Sequence, residues 1–348
     1  MTTLDTQVDV TTPRARIAGV PKVLWPLAAL ALLIIFDILF VENFLRISIE
    51  GGRLVGYPVS IALNASRVML LAMGMCLVIA TRGIDLSVGA VMAITAAVAA
   101  EAANAGVPIV LVIALALAVA TLAGVWNGIL VAIAGVQPIV ATLVLMVAGR
   151  GIAQLITRGQ IPNFDTPLLV FIGQGTVLGI PFPLILVAIV FSLTLLLTRR
   201  TALGLMIESI GDSPGASRYV GIPVAPIKLL VYTFSGLCAG LAGLIDASLI
   251  RSADANNAGL YMELDAIFAV VVGGTALVGG RFYLFGAIVG ALLLQTLTTT
   301  ILAMDVRSQL IPMPKAIVII AVILLQSSVL QQRISRALAS IGWRRSVA

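Results

Sequence analysis

Long apolar runs alternate with short polar segments along most of this chain. The apolar runs are about 20 residues long, the length of a membrane-spanning helix, whereas strands of a membrane barrel need only about 10 residues. We predict ten spans, near 23–41, 59–81, 88–104, 107–134, 138–157, 182–198, 227–249, 262–279, 283–303 and 315–331. The pattern therefore predicts an all-α integral membrane protein with about ten transmembrane helices.

The composition agrees with this class. Hydrophobic residues make up 60% of the 348 residues and charged residues only 10%, against roughly a quarter charged in soluble domains. No small-residue cleavage site follows the run 23–41, so we interpret it as a retained first span. We predict a membrane domain over 23–331, with a cytoplasmic tail at 1–22 and a basic cytoplasmic tail at 332–348.

The distribution of basic residues predicts the orientation. An even number of spans places both termini on one side of the membrane. If that side is the cytoplasm, 13 of the 21 Lys and Arg residues lie inside and six lie outside, with two within spans. The positive-inside rule favours this arrangement. Because the basic residues lie at span ends, the net charge of +6 does not indicate a nucleic-acid partner.

The longest polar interruption, 199–226, falls in the cytoplasm in this orientation. We predict two short helices in it. The first covers 202–210 and stops at Gly211, and the second has Ser213 as N-cap and Pro214 at its first position. A folded element of this kind indicates a docking site for a separate partner. The alternative is an amphipathic loop that merely links two halves of the protein.

Two further polar breaks, 82–89 and 251–265, interrupt apolar stretches in the two halves of the chain. Five predicted spans separate them, so they are expected to face opposite sides of the membrane. Such paired breaks favour an inverted repeat with a substrate path at its interface; ordinary polar loops are the alternative. Asp85, with Arg82 as a nearby counter-charge, and Asp265 are predicted to cap the helices that follow, or to act in gating.

The sequence lacks several residues and motifs that catalysis, metal binding or ATP hydrolysis commonly uses. The chain contains no histidine, the commonest general base and metal ligand. Cys76 and Cys238 lie within predicted spans and are interpreted as small apolar residues. No GxxxxGK[ST] phosphate loop occurs, so ATP hydrolysis of that type is not expected here. We predict no metal site and no enzymatic activity.

Four ionisable residues fall at membrane depth, where a charge costs at least about 2.5 kcal/mol unless it is paired or hydrated. Asp37 and Asp246 lie near predicted outer span ends and are expected to reach the interface. Arg150 is expected to pair with an acid such as Asp246, or to line a vestibule. Arg67 is the fourth. An ion-coupled secondary transporter, with Asp37 or Asp246 as its ion site, is an alternative reading of these charges.

Four long segments resemble the membrane subunits of bacterial ABC importers for monosaccharides, the ribose/xylose/arabinose-type permeases. They are ATRGIDLSVGAVMAI (80–94), GVWNGILVA (124–132), SGLCAGLAGLI (235–245) and ELDAIFAVVVGGTALVGGRF (263–282). Within that family, 141–161 and 251–267 most resemble galactofuranose importer permeases. The resemblance covers about residues 57–330.

The resemblance implies a type II ABC importer-like permease in the bacterial inner membrane that moves a monosaccharide. The implied partners are a cytoplasmic ABC ATPase, which would carry ATP and Mg²⁺, a periplasmic sugar-binding protein and a second permease subunit, identical or closely related. No cofactor is expected on this chain. The residues that match the family's ATPase-coupling loop are Gly204, Glu208, Gly211, Asp212 and Gly221.

If the substrate is a sugar, neutral polar side chains suit transient contact with its hydroxyl groups. The neutral polar candidates in or beside spans are Asn64, Asn127, Gln137, Thr142, Gln154 and Gln295. The charged Arg150 and the aromatic Trp126 are added as further candidates for the substrate path. Hydrogen bonding between helices explains each of these residues equally well. Within the importer class, other pentoses and hexoses and then branched-chain amino acids are the alternative substrates.

Overall fold

The computed structural model describes residues 23–50, 53–307 and 310–326. In these ranges the chain forms thirteen helices and four short strands: α1 (Leu24–Phe40), β1 (Ser48–Glu50), β2 (Arg53–Val55), α2 (Tyr57–Ala80), α3 (Val88–Asn104), α4 (Ile109–Ala132), α5 (Pro138–Ile156), α6 (Pro167–Gln174), β3 (Thr176–Val177), β4 (Ile180–Pro181), α7 (Phe182–Arg200), α8 (Leu203–Asp212), α9 (Pro214–Tyr219), α10 (Val224–Ile250), α11 (Met262–Val272), α12 (Leu284–Ala303) and α13 (Pro312–Gln326). The strands pair as two antiparallel hairpins, β1 with β2 and β3 with β4. The predicted all-α class is confirmed. The tails predicted at 1–22 and 332–348 lie outside the described residues.

Helix lengths agree with a multi-pass membrane protein. Within the described ranges, six helices are long and apolar enough to cross a membrane, namely α2, α4, α5, α7, α10 and α12. Three shorter helices, α1, α3 and α13, are also apolar. Every predicted span coincides with at least part of a helix. The count of ten spans stays a prediction, because α11 has only 11 residues.

The eighth predicted span, 262–279, is wrong at its C-terminal end, since α11 stops at Val272. The apolar sequence pattern continues beyond Val272, but the helical conformation of the backbone ends there. Gly273 packs directly against the Gly286 backbone, and Gly274 and Gly279 have φ of +95° and +88°. Glycine adopts such left-handed backbone at little cost. The glycines therefore end the helix and form a loop that runs to α12.

The core of the bundle lies around α2 and α10. These two helices and α12 are mostly buried, whereas only 22% of the most apolar stretch of each of α4, α5 and α7 is buried. Gly236 on α10 faces α4 so closely that an added Cβ would lie 2.5 Å from the Ala120 carbonyl oxygen. Small residues therefore bring these backbones together, as expected for membrane helices. Cys76 and Cys238 are free and buried.

The loops of the bundle gather at two opposite ends. At one end, which we call the α8 end, Gly280 donates its backbone N–H to the Ala80 carbonyl at 3.0 Å. At the other end, α3 finishes at Asn104, whose amide donates to the Asn163 carbonyl at 3.0 Å. Phe164 donates to the Arg251 carbonyl at the same end. The second break therefore begins at this end with Arg251, but its Gly259 packs against Gly89 in the first turn of α3, beside the first break. That the two breaks face opposite sides of the membrane, and the inverted repeat itself, stay predictions.

Candidate functional site

The polar interruption at 199–226 folds into α8 and α9, as predicted. The Ser213 hydroxyl accepts a hydrogen bond from the Ala216 N–H at 3.3 Å, which confirms the predicted N-cap of α9. Ile207 and Ile210 are fully buried against the bundle, so they anchor α8. On the outward side, the side chain of Leu205 is 73% exposed. The element is thus fixed on one face and open on the other.

The glycines of this element have different roles. The prediction that α8 stops at Gly211 is wrong, because the helix continues through Asp212. Instead Gly211 is buried against the Ala80 carbonyl and the backbone of Gly280, where any side chain would overlap backbone atoms. Gly204 packs in the same way against the Thr198 carbonyl. Gly221, with φ of +82°, follows the end of α9.

The acidic residues of α8 stay accessible. Asp212 is exposed and lies over Gly280, where an added Cβ would be 2.6 Å from the Asp212 Oδ1. Glu208 is half-buried. The hydroxyls of Ser209 and Ser217 are 2.9 Å apart and join α8 to α9. The two helices therefore present one linked surface with carboxylates available to a partner.

Arg82 connects this element to the bundle, a role that the sequence reasoning missed. Its Nε and Nη2 donate to the carbonyls of Gly211 and Asp212, each at 2.5 Å. These carbonyls lie at the C-terminus of α8, where carbonyl groups lack intrahelical partners and a cation is favoured. The sequence contained one signal of this role. Arg82 comes directly after the predicted span 59–81, in a position where helices often end in glycine.

Asp85 is the centre of a buried polar cluster at the start of α3. Its carboxylate is 1% exposed and accepts hydrogen bonds from the Ser87 backbone N–H at 3.1 Å, the Ser87 hydroxyl at 2.7 Å and the Ser235 hydroxyl at 2.8 Å. The N-cap position of α3 is Ser87, and no side chain caps the helix there. Asp85 lies two residues earlier and stabilises the turn that leads into α3, so it does not cap the helix in the way we predict from the sequence. The ion pair expected with Arg82 is not formed in the described structure, since that guanidinium binds α8.

Two predicted path residues belong to the surroundings of this cluster. Asn127 on α4 is fully buried and donates to the Ser87 hydroxyl at 2.8 Å. Thr142 on α5 is buried and donates to the Ile84 carbonyl at 3.2 Å. Both side chains hold the segment between α2 and α3 against neighbouring helices. In this structure the two side chains therefore bond the protein itself, which is the alternative to substrate contact given in the sequence analysis.

The second polar break, 251–265, consists of a loop over 251–261 and the first turn of α11, and side chains from α5 hold its loop. Arg150 donates through Nη1 to the carbonyls of Ala258 at 2.5 Å and Ala255 at 3.1 Å. One turn further along α5, the Gln154 amide donates to the Asn256 side chain at 2.6 Å. The expected pairing of Arg150 with Asp246 is wrong, because the neutral carbonyls of the break satisfy the guanidinium instead.

The other charges predicted at membrane depth contact neighbouring helices of the bundle. Asp246 on α10 forms an ion pair with Arg67 on α2, and Arg67 also donates to the Asn64 amide oxygen at 2.7 Å. Asp37 is fully buried and accepts a hydrogen bond from Thr300 at 2.7 Å. Both aspartates are buried against another helix, so neither side chain points outward from the bundle; their depth in the membrane stays a prediction.

Asp265 does not cap α11, contrary to our prediction. It lies in the first turn of the helix, and both of its carboxylate oxygens accept from Lys315 Nζ at 2.9 Å. This ion pair joins α11 to α13. A carboxylate in the first turn still interacts favourably with the helix dipole.

The remaining predicted path residues are scattered. The side chain of Trp126 is 53% exposed on the outer surface of α4. Gln137 is exposed at the start of α5, and Gln295 is half-buried on α12. The eight predicted path residues therefore do not line one cavity in the described part of this chain. Among the described residues, no three His, Cys, Asp or Glu side chains are grouped so that they could hold a metal ion.

The sequence of this chain matches a known protein family over most of its length. A family described as the permease component of branched-chain amino acid transport systems matches residues 57–326. The matched region begins with α2 and ends with α13. It includes both polar breaks and the α8–α9 element.

Similar proteins match nearly the whole chain. The galactofuranose transporter permease protein YtfT of Escherichia coli (strain K12) is 49% identical over 322 residues, 92% of this chain and 93% of that protein. The fructose import permease protein FruF of Bifidobacterium longum (strain NCC 2705) is 39% identical and covers 87% of each chain. The ribose import permease protein RbsC of Bacillus subtilis (strain 168) is 35% identical over 92% of this chain and 97% of its own. No solved structure matches.

Proposed function

This chain belongs to the family of branched-chain amino acid transport system permease components, and we propose that it is the translocation subunit of an ATP-driven importer for a monosaccharide. A permease of this family is a transport subunit and not an enzyme. The family description mentions amino acids, but the similar permeases reported above carry galactofuranose, fructose and ribose in their names. Galactofuranose is the first candidate substrate, since that relative has the highest identity of the three.

The docked α8–α9 element is the observation that carries this proposal. A partner that drives transport must push and pull on a rigid element at the membrane surface. Ile207, Ile210 and Gly211 fix α8 to the bundle, while Leu205 and Tyr219 are 73% and 94% exposed. We propose that the exposed side receives a separate ABC ATPase, with Glu208 and Asp212 as polar contacts, and that ATP and Mg²⁺ bind to that ATPase.

The translocation path is proposed to lie between two permease subunits. Helix α5 packs mainly against α3 and α4. Its outer side exposes the apolar residues Ile139, Val140, Leu143, Val144, Val147 and Leu155. The polar residues Arg150 and Gln154 lie on this same helix, beside the second break. A second copy or a close paralogue packed on this side would place those polar groups next to a shared path.

The orientation and the remaining partner follow from the same proposal. The α8 end would face the cytoplasm, as the distribution of basic residues predicts, and both termini would then be cytoplasmic in the bacterial inner membrane. The opposite end, with Arg251 and the loop 157–166, would receive a sugar-binding protein from the periplasm. The ion-coupled alternative gains no support from Asp246, because Arg67 neutralises its carboxylate.

A substrate panel tests the proposed sugar. Uptake of labelled galactofuranose, ribose, fructose and leucine is measured in cells that express this permease with the ATPase and binding protein encoded beside it. We expect galactofuranose to be taken up fastest. Uptake of leucine without uptake of any sugar would contradict the proposed substrate class.

A further inference from the structure

The backbone of Arg82 is unusual for a residue with a long side chain. Arg82 follows the last turn of α2 and has φ of +62°, in the left-handed region. Its N–H donates to the Ile79 carbonyl at 2.9 Å, and the N–H of Gly83 donates to the Val78 carbonyl at 3.0 Å. Helices often end this way, but with glycine in the left-handed position. Arg158 and Arg251, which follow α5 and α10, have the same left-handed backbone. The role of Arg82 therefore rests on the contacts of its side chain.

The side chain of Arg82 ties three segments together. Its two hydrogen bonds hold the last carbonyls of α8, those of Gly211 and Asp212. Gly279, from the loop between α11 and α12, lies so close that an added Cβ would be 2.5 Å from the Arg82 Cγ. Gly280 in the same loop donates to the Ala80 carbonyl. The end of α2, the end of α8 and this loop therefore form one junction.

The segment that starts at Arg82 leads within three residues to the buried cluster at Asp85. That carboxylate bonds Ser87 at the start of α3 and Ser235 on α10. Asn127 on α4 bonds Ser87. One end of this segment is thus attached to α8 and its other end to three helices of the bundle. The first turn of α3 then meets the second break, where Gly89 packs against the Gly259 backbone.

We propose that Arg82 is a positioning residue that transmits the displacement of α8 to α3, α4 and α10 through the segment 82–87. The apolar contacts of Ile207 and Ile210 resist separation of α8 from the bundle, but they allow sliding. Two directed hydrogen bonds from the rigid, planar guanidinium fork resist movement in both directions. This inference rests on the proposed function, because it takes α8 as the site that the ATPase moves.

The variant Arg82→Gly tests this transmission. Glycine suits the left-handed backbone, so the guanidinium is removed without adding backbone strain. The matched control is Arg200→Gln, which removes an exposed arginine at the end of α7, three residues before α8 begins. Each variant is reconstituted in proteoliposomes with the ATPase and the loaded binding protein. Co-purification of the ATPase, basal ATP hydrolysis and the number of sugar molecules transported per ATP are measured.

We expect Arg82→Gly to keep the ATPase bound and to hydrolyse ATP at the basal rate, while sugar transported per ATP falls about tenfold, within the usual range of coupling between sites. Arg200→Gln should match the unsubstituted protein in all three readouts. An unchanged ratio of sugar to ATP in Arg82→Gly would overturn the proposal, and so would loss of the ATPase, which would make Arg82 an assembly residue. Failure of the unsubstituted chain to transport with ATP would overturn the proposed function itself.

Discussion

Arg67 and Asp246 form an ion pair between the two most central helices, and their side chains are only 16% and 9% exposed. Removing a charge from water is costly, and in such a site the partner charge and further hydrogen bonds offset the cost. Asn64 supplies one such bond to Arg67. The pair therefore holds α2 against α10, and breaking it from one side leaves a buried charge without compensation.

Arg67→Met is expected to lower the free energy of unfolding by about 3 kcal/mol, because Asp246 then stays buried and unpaired. The double variant Arg67→Met/Asp246→Leu removes both charges and should recover most of that loss. Unfolding in mixed micelles measures both. If the double variant is as unstable as the single one, the ion pair does not contribute as described.

Arg150→Met is expected to loosen the second break. The substitution removes the hydrogen bonds to the carbonyls of Ala255 and Ala258. A bond from a charged donor contributes about 1.5–3 kcal/mol, so local opening of 254–258 should become about tenfold more frequent or more. Hydrogen exchange followed by mass spectrometry measures this opening. Arg158→Met, an exposed arginine two turns along, is the control, and equal exchange in both variants would contradict the role of Arg150.

Among the elements, α8 shows most clearly how sequence and packing combine. Its apolar positions and the cap of α9 were predictable from the order of residues alone. The role of Gly211 was only half predictable, because a glycine near a helix end indicates either a stop or a close contact. The choice depends on the backbones of Ala80 and Gly280, which are distant in sequence. The same holds for the end of α11, where an apolar pattern continues past a glycine-rich break.

Gly211→Ala is expected to separate α8 from the bundle, because even a methyl group overlaps the Ala80 carbonyl and the Gly280 backbone. ATP-driven sugar uptake should fall to background, while insertion into the membrane is kept. Gly215→Ala on α9 is the matched control, since its added methyl meets no atom within 4 Å. Uptake in a cell-based transport assay measures both variants. Normal uptake by Gly211→Ala would show that tight docking of α8 is not needed.

For the whole molecule, the helical class and the folded element α8–α9 were accessible from the sequence. The partners of buried polar residues were not. Asn127 and Thr142 were candidates for substrate contact, but they bond the segment between α2 and α3. Hydropathy marks a polar residue within a span, yet it does not say which distant helix lies opposite. The candidate path residues do not meet in this one chain, which is why we place the path between two subunits.

The most direct test of this account is sugar uptake by purified components. The permease is reconstituted in proteoliposomes with and without its ATPase and binding protein, and labelled galactofuranose is followed with and without ATP on the α8 side. The account predicts uptake only when all components and ATP are present, and no effect of an imposed proton or sodium gradient. Uptake by the permease alone, driven by such a gradient and independent of ATP, would contradict it.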